Sequence, residues 1–396
     1  MSAFAAVTTG KGTGAIAVIQ VFGDSAESII KKIFRPARNK PTAFESGKVL
    51  LGTINDGSET IDQVVVGCEG PGNFAINCHG NPLIVADIMQ LLQKNGTELL
   101  TAEQLLTRIF SAEKPSNTIA LEAKLILLQA KTIEGAKIVA NQVNAGLAKE
   151  AEQWLQNTAS LEEIKTDAGQ ILKDSETAKP IVFGCTIVLS GPPNTGKSTL
   201  LNFLVGRQKA IVTDIAGTTR DWVSAQCRIG PLSVELIDTA GLVYGELVES
   251  DENLAGVIEK ESQQKSIEML EKADLVLLVL DNSQTDDQLD EHILNKITEK
   301  RIITVLNKSD LPAKFDTTKL PENLANTVQI SAKFGTGIEK LYEKIRQICG
   351  VIDFDLHTPV CFTPRQENLL KRLQKANSKQ QAVSIITELL NASLSV

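Results

Sequence analysis

The chain has 396 residues, with 40 Lys and Arg against 48 Asp and Glu, a formal net charge of −8 and 4% aromatic residues. That length accommodates two or three domains. The acidic balance and the scarcity of aromatic rings argue against a whole surface given to nucleic acid and leave only a local basic patch. The first residues, Met1-Ser2-Ala3-Phe4-Ala5-Ala6-Val7, lack a basic leader region, and no apolar run reaches membrane-spanning length, so a cytoplasmic protein without a membrane partner is expected. Cys68, Cys78, Cys185, Cys227, Cys349 and Cys361 show neither CxxC nor Cys/His metal spacing and read as reduced thiols.

Residues 1–112 read as a small α+β domain. Ala15–Gly23 is strand-like, a helix follows around Ser25–Ile33, Val49–Ile54 and Gln63–Cys68 read as short strands, Pro71–Gly80 as a loop and Pro82–Gln93 as a helix. Leu121, Leu125, Leu128, Thr132, Ala136, Val139, Val143 and Leu147 then recur at three- and four-residue steps, which predicts a long helix or a broken helix pair. Residues 157–180 are polar and read as a loop with a short helix. Residues 363–396 return to a helical pattern, with Leu369, Leu370, Leu373 and Ala376 on one face. The expected architecture is an α/β P-loop domain over 181–350, closed by Gly350, inserted in one α-helical domain made of 113–180 and 351–396.

The chemistry is concentrated in 181–350. After the apolar run Ile187-Val188-Leu189 comes Gly191-Pro192-Pro193-Asn194-Thr195-Gly196-Lys197-Ser198, then Thr199 and a helical start. Strand, GxxxxGKS loop and helix together make a P-loop. Its glycines let successive N–H groups turn toward phosphate oxygens, Lys197 reaches the β- and γ-phosphates, and the Ser198 hydroxyl binds Mg²⁺. Asp238-Thr239-Ala240-Gly241 follows a second strand, where Asp238 reaches the Mg²⁺ shell and the Gly241 N–H senses the γ-phosphate. Asn307-Lys308-Ser309-Asp310 follows a third. A carboxylate at Asp310 accepts both guanine N1–H and the exocyclic amine, a pair that adenine lacks. Asn307 can bond the other edge of the base, the Lys308 stem can cover its face, and Ser331-Ala332-Lys333 closes over it. The order of these tetrads, each after a strand, points to GTP and GDP.

At these residues the chain resembles the MnmE (TrmE) family of tRNA-modification GTPases. The likeness is carried by the P-loop through Asn202, by Ala210-Ile211-Val212-Thr213-Asp214-Ile215-Ala216-Gly217-Thr218-Thr219-Arg220-Asp221, by Asp238 to Leu242, and by the order of domains. The resemblance implies GTP hydrolysis stimulated by K⁺, with the Asn194 side chain and the carbonyls of Thr213 and Ile215 as ligands and Thr219 on Mg²⁺. A cation beside the β–γ bridge stabilises charge where other GTPases place an arginine. Leu242 stands where a water-orienting Gln often sits, and leucine has no polar atom for that task. The family's switch Glu corresponds to Glu259, with Glu249 and Glu261 as rivals across an apparent insertion at 243–257. The resemblance also implies a homodimer through the N-terminal domain, a flavin-bearing MnmG-type partner and tRNA.

The chain departs from the family in three places. It ends Asn391-Ala392-Ser393-Leu394-Ser395-Val396 rather than in Cys-x-Gly-Lys, Gln20 replaces an arginine of the folate-associated strand, and the loop before Cys78-His79 is shortened. These departures argue against folate binding, and His79 reads as a satisfied core or turn histidine. They leave as the alternative a regulatory or assembly GTPase that has lost tRNA modification.

Overall fold

The computed structural model describes residues 2–10, 14–37, 44–112, 117–156, 159–207, 223–238, 269–285, 288 and 300–391. These fall into two compact units, one holding the described residues up to Leu125 and the other those from Ile126 to Leu390.

The first unit is built on β1 (Ala3–Val7), β2 (Ile16–Gly23), β3 (Phe34–Pro36), β4 (Val49–Asp56), β5 (Glu59–Gly70), β6 (Asn73–His79) and β7 (Thr97–Leu99), in the order β3-β4-β5-β6-β2-β1-β7. All neighbours pair antiparallel except β1 with β7. Alternation sorts the side chains. Ile19 and Val21 of β2, Val66 of β5, and Phe74 and Ile76 of β6 share a core with Ile30 of α1 (Ala26–Ile33) and with Ile88 and Leu92 of α2 (Pro82–Lys94). A second cluster gathers Ala6 of β1 with Leu105 and Ile109 of α3 (Ala102–Ala112). The expected loop at 71–80 is instead strand β6, turned at Gly72 (φ +68°). Its asparagines hide the alternation of Phe74, Ile76 and Cys78 into the core.

The second unit carries β8 (Cys185–Ser190), β9 (Val223–Ile229), β10 (Leu232–Asp238), β11 (Leu275–Asp281), β12 (Ile302–Asn307) and β13 (Thr327–Gln329) in the order β13-β12-β11-β8-β10-β9. Pairing is parallel except for the β9–β10 hairpin. Every residue of β11 and β12 is buried, as expected for parallel strands covered on both faces. The chain leaves β8, flanked by β10 on one side and β11 on the other, into the Gly-rich loop and α8 (Lys197–Arg207). That is the switch point of an open parallel sheet, where ligands bind at the carboxyl ends of the strands.

The stripe from Leu121 to Leu147 is divided among α4 (Thr118–Leu127), α5 (Ile133–Asn141) and α6 (Leu147–Gln156). Thr132 restarts the helix by accepting a 2.9 Å hydrogen bond from Gly135 N, so local capping breaks the long pattern. The polar stretch expected to be a loop and a short helix is α7 (Leu161–Phe183), 23 residues long. A reciprocal cap between Ser160 and Glu163 starts it, and Ile164, Ala168, Ile171, Ser175, Ala178 and Ile181 form a single buried stripe among polar neighbours. Beyond α9 (Ile338–Ile348), Gly350 takes φ +72°, and the expected last helix is split into α10 (Pro364–Gln374) and α11 (Lys379–Asn391). The buried Gln142 donates to Ile138 O (2.9 Å) and Thr358 O (3.1 Å) and accepts from Leu147 N (2.8 Å) and Val360 N (3.0 Å). Ser175 Oγ accepts from Cys361 N at 2.8 Å, and Lys179 donates to Glu367 at 3.1 Å.

Candidate nucleotide-binding site

The Gly-rich loop needs its glycines for space as well as for conformation. Gly191 has φ +135°, and a Cβ there would lie 2.2 Å from Val279 O. Gly196 has φ +92°, with its Cβ position 2.4 Å from Asn307 Nδ2. Between them Asn194 takes φ +63°, a left-handed conformation that asparagine tolerates better than most residues, and its side chain is exposed. Thr195 is buried and its hydroxyl donates to Pro192 O at 3.0 Å.

Lys197, at the first position of α8, is only 4% exposed. Its ammonium donates to Gly191 O at 2.9 Å and Pro192 O at 2.7 Å. Burial pushes it below the usual lysine range, against the pull of Asp238. Ser198 Oγ donates to Asp238 Oδ2 at 2.6 Å, so the loop after β8 and the end of β10 present a hydroxyl and a carboxylate side by side. Two hard oxygen donors of this kind suit Mg²⁺. Thr199 is exposed at the next position.

The base-side loops are joined to the phosphate-side loop through one amide. Asn307 is 3% exposed; its Nδ2 donates to Thr195 O at 2.8 Å and its Oδ1 accepts from Ala332 N at 2.9 Å. The side chain expected to bond the base edge also braces two loops, using one of the two hydrogens of its amide. Asp310 is exposed, and its Oδ1 accepts from the buried Ser331 hydroxyl at 2.6 Å. Ser309 N donates to Ile330 O at 3.0 Å and Ser331 N to Thr336 O at 3.0 Å, which closes the loop that carries exposed Lys333. Lys308 takes φ +62° and its ammonium donates to Asp281 Oδ2 at 2.7 Å.

The structure therefore brings together Gly191, Asn194, Thr195, Gly196, Lys197, Ser198 and Asp238 on one side and Asn307, Lys308, Asp310, Ser331 and Ala332 on the other. Thr213, Ile215, Thr219, Thr239, Ala240, Gly241, Leu242, Glu249, Glu259 and Glu261 lie outside the described residues. Asp281 and Ser283 were not singled out by the motifs, although an aspartate closing an otherwise apolar strand is itself a signal.

In the first unit Gln20 is 6% exposed and its Nε2 donates to Glu69 Oε2 and Asn73 Oδ1, both at 2.7 Å. His79 is not a core residue. It ends β6 with its side chain 66% exposed, and its Nδ1 lies 2.7 Å from Asp62 Oδ1, while its N–H donates to Asp62 Oδ2 at 2.9 Å. All six cysteines are free and buried. Among the described residues no helix is long and apolar enough to cross a membrane.

Comparison with known proteins covers both units. Residues 186–308 match the family model of the 50S ribosome-binding GTPase, and residues 3–113 match that of the GTP-binding protein TrmE N-terminus. The chain is 32% identical over 380 residues to a protein of Thermotoga maritima named tRNA modification GTPase MnmE, covering 87% of this chain and 82% of the relative. Proteins of the same name match at 33% over 387 residues in Endomicrobium trichonymphae, covering 88% and 81%, and at 29% over 381 residues in Clostridioides difficile, covering 87% and 81%.

Proposed function

Because the chain belongs to the MnmE (TrmE) family of tRNA-modification GTPases, and so is a GTP hydrolase, we propose that it couples K⁺-stimulated hydrolysis of GTP to modification of the wobble uridine of tRNA. The observation that carries the nucleotide part is the Asn307 brace, which holds the phosphate loop at Thr195 and the base loop at Ala332 in one frame. In this reading Asp310 reads guanine, with Ser331 fixing its carboxylate, and Ser331, Ala332 and Lys333 close over the base. The N–H groups of Asn194, Thr195 and Gly196, Thr199 and the ammonium of Lys197 hold the phosphates, and Thr239 to Gly241 follow the γ-phosphate. Ser198, Asp238 and Thr219 hold Mg²⁺, which neutralises charge on the transferring phosphoryl group. Asn194 supplies one K⁺ oxygen from a loop it already shapes, Thr213 and Ile215 the carbonyls, and Glu259 orients the water.

The domain reading is a small α+β domain over 1–112, a G domain over 181–350 and a helical domain of 113–180 with 351–396. The bonds from Gln142 and Ser175 to residues 358–361 support treating the last two segments as one domain. The N-terminal domain is the proposed homodimer interface, and tRNA with an MnmG-type protein the proposed partners. The test has two parts: initial rates with GTP and ATP in KCl and in NaCl, and wobble-uridine content of bulk tRNA after gene deletion. Equal rates for GTP and ATP defeat the nucleotide reading, and unchanged tRNA defeats the modification reading.

One observation favours a second reading, a regulatory or assembly GTPase without modification. Gln20 spends its amide on Glu69 and Asn73, so this position offers no cation to an anionic cofactor such as folate. Complementation of a strain lacking the family enzyme separates the two.

A further inference from the structure

The lysine of the guanine-reading loop is fixed at both ends. At the backbone end, Lys308 takes φ +62°, a left-handed conformation that is costly for a non-glycine residue and persists only where its surroundings hold it. The residue before it, Asn307, is tied by its side chain to two loops, so Lys308 starts from a fixed point. At the other end, the ammonium donates to Asp281 Oδ2 at 2.7 Å. Asp281 closes β11 and is 2% exposed, so its carboxylate is buried at the carboxyl end of the sheet. Its second oxygen, Oδ1, accepts from both Ser283 N (2.9 Å) and Ser283 Oγ (2.7 Å). Its backbone is strapped by Gln288, which donates to Asp281 O at 2.9 Å and accepts from Asp281 N at 2.8 Å. Burial would raise the Asp281 carboxyl, but the bonds from Lys308 and Ser283 hold it below the usual range. Both carboxylate oxygens are thereby committed and the carboxylate cannot turn.

We propose that Asp281 is a positioning residue of the guanine site: it anchors the Lys308 ammonium so that the four methylenes of Lys308 span two fixed points and form a rigid apolar wall against the purine. This rests on the reading of Asn307–Asp310 as the base-binding loop. A free lysine would lose rotamer freedom on packing against a base, and a lysine already anchored has lost it beforehand. The stem is the part that meets the base, and the charge is used for orientation.

The test measures the base contribution apart from the phosphates. Binding of mant-GDP is followed by fluorescence, and inorganic tripolyphosphate, which has no base, is used as a competitor. Asp281→Asn is expected to raise the mant-GDP dissociation constant about tenfold through faster release, with the tripolyphosphate inhibition constant unchanged once corrected for the weaker mant-GDP binding. Because the two residues act as one unit, Asp281→Asn combined with Lys308→Met should bind no more weakly than Lys308→Met alone. Native mant-GDP affinity in Asp281→Asn overturns the proposal, as does an equal loss for mant-GDP and tripolyphosphate, which would mark a general scaffold defect. Should Asp281→Asn not fold, Ser283→Ala takes its place. It keeps the charge pair and removes one hydroxyl bond; a two- to threefold loss confined to mant-GDP supports the anchor, and native binding refutes it. Failure of the base-reading assignment shows differently, as equal affinity of the native protein for mant-GDP and mant-ADP.

Discussion

Asn307 is where bracing and base contact separate experimentally. Replacing it with alanine removes two hydrogen bonds of 2.8 and 2.9 Å and leaves Thr195 O and Ala332 N without that partner, both in residues at most 3% exposed. At about 1–3 kcal/mol per orphaned buried group, with partial relaxation, the loss is on the order of 3 kcal/mol. The loops recover part of this by moving apart, and nucleotide must then draw them together again. A cost of that size borne at binding corresponds to roughly a hundredfold in affinity. Asn307→Asp is the sharper probe. It keeps an acceptor for Ala332 N but sets an anionic oxygen where a donor faced Thr195 O, so its loss should equal or exceed that of alanine. Urea unfolding of the ligand-free protein and mant-GDP titration read the two shares of the cost. If both variants unfold like the native chain and bind within threefold of it, Asn307 braces nothing that matters.

Four further outcomes are expected. Asp310→Asn shifts nucleotide preference from GTP toward xanthosine triphosphate, measured by competition; unchanged GTP affinity refutes the carboxylate reading. Asn194→Gly keeps the left-handed backbone and removes the side-chain oxygen, so stimulation by KCl over NaCl should vanish with about tenfold lower kcat; persistent stimulation removes Asn194 from the K⁺ site. Glu259→Ala should lower kcat on the order of a hundredfold with little change in nucleotide affinity, and Glu249→Ala and Glu261→Ala much less; the opposite ranking moves the catalytic role. Gln142→Leu removes all four bonds of a fully buried amide and should cost about 3–4 kcal/mol in urea unfolding followed by tryptophan fluorescence; a loss below 1 kcal/mol contradicts its linking role.

The strands before the Gly-rich loop, before Asp238 and before Asn307 are legible in the sequence because each motif follows an apolar run. The sheet order around β8 follows from the same pattern. What escaped reading was hidden by polar residues on buried stripes. The α7 stripe runs through a segment rich in Lys, Asp and Glu, so its composition resembles a linker while one face packs. The strand β6 was masked by Asn73 and Asn77, which flank its buried apolar positions. Local capping at Thr132 broke a periodicity that read as continuous. At the site itself, the role of Asn307 as a brace is invisible in sequence, since its partners lie 112 and 25 residues away.

On the proposed reading, three hydrogen bonds among the phosphate-side residues compete with nucleotide. Lys197 holds the carbonyls of Gly191 and Pro192, and Ser198 holds Asp238. When a phosphate takes the lysine and a cation takes the hydroxyl and carboxylate, bonds are exchanged rather than created. Exchange of this kind contributes nearer 1 kcal/mol per bond than the 4–6 kcal/mol of an isolated one. Charge changes the balance for Lys197, whose ammonium is buried against neutral carbonyls and held below its usual range. On the proposed reading an anionic phosphate compensates that burial as the neutral carbonyls cannot, so relief of the lysine's burial is expected to contribute to phosphate affinity. The base side works in the opposite way. Asn307 and Ser331 are held by bonds to Thr195, Ala332 and Asp310 within the protein itself, so on the proposed reading guanine is expected to meet a surface braced by the protein. On the proposed reading, affinity on the phosphate side and selectivity on the base side arise from different physics, and substitutions on the two sides should be separable.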